Sequence, residues 1–434
     1  MIWYVVCHST TIMLNIRTAE RNRLVPNRIR TVEMNEANPH RVFAYCHDSV
    51  GIGHLSRTLA ISERITQNFP ASTFLIVTGT PYAALFDQQP RVDYIKLPAL
   101  AKGEDRKYCG KYLNVSPEEV VTCREALIKS TVEHFHPDTI LIDKAPLGVC
   151  RELVESIRWA RLHRPNTRII FGMRDIEDSP EATIAQWGRA EVSTMLEECF
   201  DEVWVYGMED LFDVVKEYKL SSTVAAKTRY MGYVSRKVCN HRPKAEKQDP
   251  TVLVTVGGGT DGEFVLRCYL SEAAKRVRAL GGRSVIVGGP DLPKSVGRAL
   301  KEQASTVDGV TWIDFEPCVG CRIRESSLVV TMGGYNTLCT IAQHQKRAIV
   351  VPRIYPRMEQ AIRARLWEKR GAVSVVDPTT MSPSSVLADR VCEMLAEGDA
   401  PTNPRLNLQG LDQVTARFAH FLGEGVSRAT AVRV

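Results

Sequence analysis

From Arg41 onward, short apolar runs rich in Val and Ile alternate with longer amphipathic stretches. This alternation is typical of βαβ units, in which buried parallel strands are joined by helices. Strands that are covered on both faces are expected to be apolar throughout, and most of these runs are. The pattern therefore predicts an α/β protein built on doubly wound parallel sheets.

The apolar runs fall into two series of six. In the first half the predicted strands are Val42–Cys46, Thr73–Val77, Val92–Lys96, Thr139–Ile142, Arg168–Phe171 and Val203–Tyr206. In the second half they are Val252–Val256, Ser284–Val287, Val310–Ile313, Leu328–Thr331, Ala348–Pro352 and Val373–Val376. Polar residues and prolines cluster between the two series, as is usual for a linker.

We therefore predict two Rossmann-like domains that face a cleft, an acceptor domain at 41–235 and a donor domain at 250–422. Residues 1–40 show no clear hydrophobic period, and we expect a poorly ordered extension with Met34 as a candidate natural start. The amphipathic stretch Leu411–Leu422 is expected to be a helix that packs back on one of the domains.

Composition sets limits on the partners. The net charge is +6, and Lys and Arg are spread along the chain rather than gathered in a stripe, so nucleic acid is not an expected partner. No stretch of about 18 apolar residues predicts a membrane span.

The 12 cysteines are scattered, which favours reduced thiols and a cytoplasmic location. Cys318 and Cys321 form a single C-x-x-C, whereas zinc needs four ligands, so no metal is predicted.

A glycine pair late in the chain lies between a predicted strand and a predicted helix. Gly333 and Gly334 turn the chain, and Asn336 and Thr337 begin the helix. Glycines allow backbone N–H groups to approach a ligand, and a helix start offers unpaired donors with the positive end of the helix dipole. We expect a diphosphate to bind here; the alternative is a tight turn without a ligand.

One βα unit later, Glu359 and Gln360 begin the next helix. A carboxylate beside an amide suits the hydroxyls of a sugar, because both groups can form paired hydrogen bonds. The alternative is that Glu359 is only a charged residue in a first turn. Together with the preceding glycine turn, this pair indicates a nucleotide-sugar donor site.

The second half opens with Gly257, Gly258, Gly259 and Thr260 after its first strand. Their spacing differs from that of dinucleotide-binding enzymes and of P-loops, so a nicotinamide oxidoreductase is not expected. Three glycines leave room for a ligand beside the backbone. We assign the turn to the donor site, in contact with phosphate or acceptor, with a purely structural turn as the alternative.

The first half opens with a related turn, in which Gly51 and Gly53 precede His54. His54 would stand at a helix start, where the dipole disfavours the imidazolium and keeps the ring neutral. A neutral imidazole can take a proton from a sugar hydroxyl. We predict His54 to be the catalytic base; the alternative is a capping or packing histidine.

Asp143, Arg174 and Asp175 lie at the carboxyl ends of predicted strands. Ligands of open α/β sheets bind at that edge, so we group these three residues with the first glycine turn as the acceptor side of the cleft. Each could orient an acceptor or support His54, and each could equally form an ordinary ion pair in a loop.

Together these motifs resemble glycosyltransferase family 28, the MurG-like enzymes. The similarity covers most of residues 250–420, and the turn at 51–54 extends it to the first domain. Within the family the chain is most similar to bacterial proteins known as predicted glycosyltransferases. The resemblance implies a GT-B fold, a UDP-sugar donor held mainly by the C-terminal domain, and inversion without a metal ion or other cofactor.

On this resemblance, the glycine–histidine turn of the family falls on Gly53 and His54, and its donor-binding glycine turn falls on 333–334. Glu359–Gln360 stands where the family carries paired glutamines, a change that bears on which donor sugar is accepted. Thr340 stands where the family carries a glutamate that grips the donor ribose, which bears on the choice of nucleotide.

The predicted reaction is transfer of a hexose or N-acetylhexosamine from a nucleotide-diphosphate sugar to an unknown acceptor, lipid-linked or small. No D-x-D motif for a metal-bound diphosphate occurs in the chain. Two alternatives stay open: a non-hydrolysing nucleotide-sugar epimerase, and a nucleotide-sugar-binding protein without catalysis. The expected location is cytoplasmic, with peripheral contact at the inner membrane face left open.

Overall fold

The computed structural model describes residues 39–47, 53–86, 88–102, 108–189, 191–236, 250–316, 318–398 and 405–431. Gly51, nearly all of the predicted extension and most of the predicted linker lie outside these residues. Residues 38–434 belong to one compact unit.

The first half forms a sheet of seven parallel strands and a small antiparallel pair. In chain order its strands are β1 (His40–Cys46), β2 (Ser72–Thr78), β3 (Val92–Lys96), β4 (Leu100–Lys102), β5 (Tyr108–Gly110), β6 (Thr139–Asp143), β7 (Arg168–Arg174), β8 (Glu202–Tyr206) and β9 (Thr228–Tyr230). The sheet order is β3-β2-β1-β6-β7-β8-β9, and β4 pairs with β5.

The helices of the first half are α1 (Gly53–Asn68), α2 (Pro117–Phe135), α3 (Val154–His163), α4 (Pro180–Arg189), α5 (Val192–Cys199), α6 (Val214–Glu217) and α7 (Ser222–Ala226), with a 3₁₀ turn at Pro81–Leu85. Local sequence explains where several of them begin. Ser116 and Glu119 form a capping box at the start of α2, and Pro117 occupies its first turn, where a missing N–H does no harm.

The second half forms a parallel sheet of six strands. They are β10 (Thr251–Thr255), β11 (Arg283–Val287), β12 (Val310–Ile313), β13 (Leu328–Thr331), β14 (Arg347–Val350) and β15 (Ser374–Val375), in the order β12-β11-β10-β13-β14-β15. The helices are α8 (Glu263–Cys268), α9 (Ala274–Ala279), α10 (Lys294–Ser305), α11 (Val319–Glu325), α12 (Tyr335–Gln343), α13 (Glu359–Lys369), α14 (Pro383–Ala396) and α15 (Gly410–Ala431), with a π-helical segment at Tyr269–Ala273.

All twelve predicted strands are present, and their ends differ from the predicted ones by at most three residues. The sequence analysis missed β4, β5 and β9. Each of these strands has only three residues, too few to show either an apolar run or an alternation. The predicted α/β fold with two parallel sheets is confirmed.

Successive side chains of the first sheet enter different cores, as the two-residue period of a strand requires. On β1, Phe43 and Tyr45 pack into one apolar cluster, whereas Val42 and Ala44 pack into another. The second cluster continues into the C-terminal half through apolar residues of α12 and α13. The two sheets therefore share one apolar core along this side.

In both sheets the strand order reverses beside the first strand, between β1 and β6 and again between β10 and β13. Loops that leave two such neighbouring strands run to opposite faces, so a crevice opens at the carboxyl ends of the strands. His54 and Asp143 lie at the first crevice, and the two glycine turns of the second half lie at the other.

Hydrogen bonds join the carboxyl edges of the two sheets. The Tyr335 hydroxyl donates to the carbonyl oxygen of Tyr206 at 2.9 Å and accepts from the N–H of Val234 at 2.9 Å. The Asn336 amide donates to the carbonyl oxygen of Gly53 at 2.8 Å. The first turn of α12 therefore lies against the first turn of α1.

A buried ion pair also crosses between the sheets. Arg363, on α13, donates to both carboxylate oxygens of Asp175 at 2.7 and 2.6 Å, and their side chains are 1% and 3% exposed. Arg363 also donates to the carbonyl oxygen of Gly333 at 3.2 Å. This bidentate geometry holds the loop after β7 against α13.

The last helix, α15, returns to the first half, as predicted. Arg417 forms an ion pair with Glu202, at 2.8 Å from Nε to Oε1, and Phe421 stacks on Trp204 with ring centroids 6.1 Å apart. Phe418 contacts His40 with ring centroids 5.0 Å apart. Among the described residues, no helix combines the length and the apolar character that crossing a membrane would require.

Replacing Arg363 by Met should lower the free energy of unfolding by about 3–5 kcal/mol, because Asp175 would stay buried without its counter-ion. Arg365→Met is the matched control on the same helix. Its pair with Asp377 is exposed, at 59% and 41%, so the loss should stay below about 1 kcal/mol. Urea unfolding followed by tryptophan fluorescence measures both; equal small losses would contradict the structural role of this pair.

Candidate active site

His54 and Asp143 form the centre of the first crevice. His54 is the second residue of α1, and Asp143 is the last residue of β6, the strand next to β1. The Nδ1 atom of His54 is hydrogen-bonded to Oδ2 of Asp143. Because the carboxylate is an acceptor, it places the ring proton on Nδ1 and leaves Nε2 able to accept a proton.

The His54 ring is neutral at physiological pH. Burial lowers the pKa of His54 to about 4, against the opposing effect of Asp143, and the charges of Arg57 and Arg174 lower it further. The neutral ring agrees with the prediction, although burial rather than the helix dipole is the main cause. The side chain keeps 14% exposure, so the ring still reaches the crevice.

Asp143 stays ionised because a second partner neutralises it. Burial raises the pKa of its carboxyl, but Arg57 and His54 outweigh this effect and hold the pKa well below its ordinary value. Arg57 Nε donates to Oδ1 at 3.1 Å, while His54 occupies Oδ2. The carboxylate is thus held from both sides and fixes the orientation of the imidazole.

Arg57 also links this pair to the second half. Its guanidinium lies 5.3 Å from the ring centroids of both Tyr206 and Tyr335. Tyr206 ends β8, whereas Tyr335 begins α12. The cation therefore lies between one aromatic ring from each half, in the range of a cation–π contact.

In the glycine turn before α12, a side chain would clash at the first glycine and would meet open space at the second. Gly333 has φ 86°, and a Cβ there would lie 2.9 Å from Val350, so glycine is required. Gly334 has φ −59°, and a Cβ there would meet only the Thr337 hydroxyl, at 4.0 Å. No side chain of the described residues caps α12, so its first N–H groups face this space. Asn336 is bound to Gly53, and Thr337 is half-buried.

Glu359 begins α13 and is buried, 3% exposed. One carboxylate oxygen pairs with Arg353, which also donates to Asp261 at 2.6 Å. The other oxygen, Oε2, is buried and has no hydrogen-bond partner among the described residues. Gln360 accepts from the backbone N–H of Arg353 at 3.2 Å. This leaves a buried carboxylate oxygen that can accept a hydrogen bond from a ligand.

In the triple-glycine turn after β10, the backbone requires glycine at Gly259. Gly259 has φ 97°, and a Cβ there would lie 2.6 Å from the carbonyl oxygen of Gly288. The carbonyl of Gly258 accepts from the N–H of Asp291 at 2.8 Å. Gly257, at φ 65°, borders open space, and Thr260 is exposed. Within the predicted donor turn, Gly257 and Thr260 are exposed, Gly258 is half-buried and Gly259 is buried.

The three acceptor-side residues at the ends of β6 and β7 differ in what they contact. Asp143 supports His54, one of the two roles considered for it. Asp175 is buried, and both of its carboxylate oxygens are bound to Arg363. It therefore serves as an ion-pair partner and is not available to bind an acceptor. Arg174 ends β7, is half-buried, and its Nε has no hydrogen-bond partner in the described part of the chain.

Sequence reasoning missed Arg57, Lys144, Arg353 and Arg363. Arg57 follows His54 by three residues and so lies on the same face of a helix, a spacing that could have revealed it. Lys144 and Arg363 carry no local signal, because their partners come from distant parts of the chain, and Arg353 joins the nearby Glu359 to the distant Asp261.

Residues 251–413 match the sequence model of the glycosyltransferase family 28 C-terminal domain. This range contains both glycine turns of the second half and the Glu359–Gln360 pair. A search of curated proteins found no significant match.

Solved structures share the fold at low sequence identity. The calicheamicin glycosyltransferase CalG4 aligns with a TM-score of 0.55 and 12% identity over 89% of this chain and 99% of its own. MurG of Acinetobacter baumannii gives 0.51 and 14% over 87% and 100%. The UDP-GlcNAc 2-epimerase of Neisseria meningitidis, solved with UDP-GlcNAc bound, gives 0.55 and 13% over 88% and 100%.

The structural similarity supports the fold, and the sequence match supports the family. Each of these alignments covers 87% or more of this chain, so the shared fold includes both parallel sheets. The chain therefore has the GT-B fold, and residues 251–413 match the C-terminal domain of glycosyltransferase family 28.

Proposed function

We propose that the protein transfers a hexose or N-acetylhexosamine from a nucleotide-diphosphate sugar, with UDP as the expected nucleotide, and inverts the anomeric carbon. The observation that carries this proposal is the contact between Asn336 and Gly53, 2.8 Å from amide to carbonyl oxygen. This contact places the start of α12, the proposed donor side, directly beside the turn that carries His54.

In the proposed reaction, Nε2 of His54 removes the proton of an acceptor hydroxyl as that oxygen attacks the anomeric carbon. The new glycosidic bond forms as the bond from the anomeric carbon to the diphosphate oxygen breaks, so a single displacement inverts the centre. Asp143 stabilises the imidazolium that forms, as a carboxylate does in other base–carboxylate pairs.

The departing diphosphate would be stabilised by the first N–H groups of α12 next to Gly334. Fixed backbone dipoles aimed at developing negative charge can lower a barrier without the rearrangement that water would need. Thr337 adds a hydroxyl donor in the same turn. In this proposal no metal ion is needed to neutralise the leaving group.

Glu359 would hold the donor sugar through its unpartnered oxygen. The carboxyl stays ionised, because the charges of Arg174 and Arg353 outweigh its burial and lower its pKa. Thr340 donates to the carbonyl oxygen of Asn336 at 2.9 Å, so its hydroxyl is occupied inside α12. Selection of the nucleotide must then depend on other groups.

A non-hydrolysing epimerase is the second candidate, since the Neisseria epimerase shares this fold. The two reactions differ in their products. A transferase releases a nucleoside diphosphate, with an acceptor or slowly with water, whereas the epimerase returns an intact nucleotide sugar. Chromatography of the nucleotide products after incubation with the donor separates them, and donor binding with neither product would indicate a binding protein.

We expect a cognate donor to raise the melting temperature in a screen of UDP-, GDP- and dTDP-sugars. At a concentration of about 100 Kd, the donor adds roughly 2.7 kcal/mol of stability.

With that donor, His54→Ala should lose about 10²–10⁴ in rate while donor affinity stays close to wild type. His163→Ala, an exposed histidine on α3, is the control, and wild-type turnover by the His54 variant would remove the base assignment.

Gly334→Ala should weaken donor binding by about tenfold or more, because the methyl group would enter the space assigned to the diphosphate. The fold itself should tolerate the change, since φ is −59° and the nearest heavy atom lies 4.0 Å away. Gly188→Ala, on α4 with open space around it, is the matched control. Calorimetric titration with the donor measures both; equal affinities would place the diphosphate elsewhere.

The ring of His54 should titrate near pH 4, far below the ordinary value of about 6.5, because burial lowers its pKa to about 4. Asp143→Asn removes the interaction that raises this pKa, so the midpoint should fall further. Histidine-labelled NMR follows the titration, with His54→Gln to assign the signal. A midpoint near 6.5 would show that the ring is not buried as described.

A further inference from the structure

Arg353 joins the two turns that lie on either side of the glycine turn at 333–334. Its Nη1 donates to Oδ2 of Asp261 at 2.6 Å, and Asp261 belongs to the turn between β10 and α8. Arg353 itself lies in the loop between β14 and α13. In the sheet, β13 lies between β10 and β14, and neighbouring strands are spaced about 4.8 Å apart. The ion pair therefore reaches across the carboxyl end of β13, the end from which Gly333 leads into α12.

The start of α12 lies close to this ion pair. A Cβ on Gly333 would lie 2.9 Å from Val350, the last residue of β14, and 3.7 Å from the carbonyl oxygen of Gln360. The side-chain oxygen of Gln360 accepts in turn from the backbone N–H of Arg353 at 3.2 Å. These contacts place the loop that carries Arg353 directly beside the turn to which the donor diphosphate is assigned.

The two carboxylates that are bound to Arg353 differ in their burial. The side chain of Glu359, which accepts from Nη2, is 4% exposed, whereas that of Asp261 is 38% exposed. A buried ion pair is costly to separate, whereas an exposed pair contributes little to stability. Asp261 is therefore the partner that another anion can displace.

Arg353 also has a hydrogen-bond donor that its carboxylate partners do not use. Asp261 and Glu359 accept from the two terminal nitrogens, whereas Nε is buried and has no hydrogen-bond partner among the described residues. Buried polar groups are almost always hydrogen-bonded, because leaving one unpaired is costly. A phosphate suits a guanidinium particularly well, because two parallel N–H groups can bind two of its oxygens.

We propose that Arg353 binds the diphosphate of the donor and stabilises it as it departs, and that Asp261 is the counter-ion which the diphosphate displaces. This inference rests on the proposed function and adds a full positive charge to the N–H groups of α12. When the bond from the anomeric carbon to the diphosphate oxygen breaks, its electron pair stays on that oxygen, and the leaving group gains one negative charge. The acceptor proton goes to His54, so the new charge develops on the donor side, where Arg353 lies.

This exchange gives Asp261 an inhibitory role. Its carboxylate competes with the diphosphate for one cation and repels the diphosphate by its like charge. A purely structural ion pair would behave differently, because loss of either partner would loosen the same two turns and weaken the ligand. The two residues therefore have opposite predicted effects on diphosphate affinity.

Calorimetric titration of the full-length protein with inorganic pyrophosphate and with UDP separates the two cases. Neither probe carries a sugar, so the result does not depend on the role of Glu359 toward the donor sugar. Arg353→Gln should weaken both probes by about tenfold or more, because charge-assisted hydrogen bonds are lost. Asp261→Asn should strengthen both by about two- to fivefold, because the competing charge of an exposed ion pair is removed.

Arg365→Gln and Asp377→Asn are the matched controls, since they make the same changes in an ion pair that is 59% and 41% exposed, and both affinities should stay unchanged. In the double variant Arg353→Gln/Asp261→Asn, the gain from Asp261→Asn should disappear, because the carboxylate acts through Arg353. If Arg353→Gln folds poorly with Glu359 left buried and unpaired, Arg353→Gln/Glu359→Gln removes that charge and keeps the test readable.

With the cognate donor, Arg353→Gln should also lower kcat by about 10²–10³, because the charge of the leaving group develops in the transition state. Arg353→Lys keeps the charge without the paired N–H groups and should recover part of this loss. A loss confined to KM would contradict the assigned part in stabilising the departing diphosphate.

The exchange is overturned if Asp261→Asn binds the probes no more tightly than the wild type, if Arg353→Gln binds them equally well, or if the wild type binds neither. Product chromatography tests the proposed function separately. If the wild type releases the nucleoside diphosphate while both variants shift affinity in the same direction, only this inference fails. If the variants shift affinity in opposite directions while the donor is returned intact, the proposed transfer fails and the exchange of Asp261 for diphosphate stands.

Discussion

The carboxylate of Asp143 is shared by His54 on one oxygen and Arg57 on the other, and the arrangement of the crevice depends on this sharing. A lone carboxylate in this buried position would tend to take up a proton, and a lone histidine would have no defined tautomer. With both partners, the carboxylate stays ionised and fixes the imidazole in one orientation, while burial keeps the ring neutral. A base at the end of a parallel sheet thus results from charge balance as much as from position.

Arg57 also connects the site to both halves of the chain. Arg57 lies between Tyr206 and Tyr335, and Tyr335 begins the helix whose N–H groups are assigned to the diphosphate. Domain closure in glycosyl transfer serves to exclude water and to bring donor and acceptor together. Here the groups that fix the base also contact the donor-side helix, so separating the halves would loosen both ends of the site.

Much of the fold was predictable from sequence. Val- and Ile-rich runs marked twelve strands, because strands buried on both faces must be apolar throughout, and glycines marked the turns at both switch points. The strands that escaped are three residues long and carry no pattern. Gly333–Gly334 and His54 lie at turns between a strand and a helix, as the sequence indicates, whereas Asp175 could not be recognised as the partner of Arg363, since 188 residues separate them.

The sequence by itself determined the α/β class, the two sheets and the places where ligands can approach the backbone, since all of these follow from local hydrophobic period and from glycine. Only the tertiary structure decided which charges neutralise one another. It gave Asp143 to His54, Asp175 to Arg363 and Glu177 to Lys144. The reason is physical: the hydrophobic period is a property of a single segment, whereas the balance of buried charge depends on groups that meet only after the chain has folded.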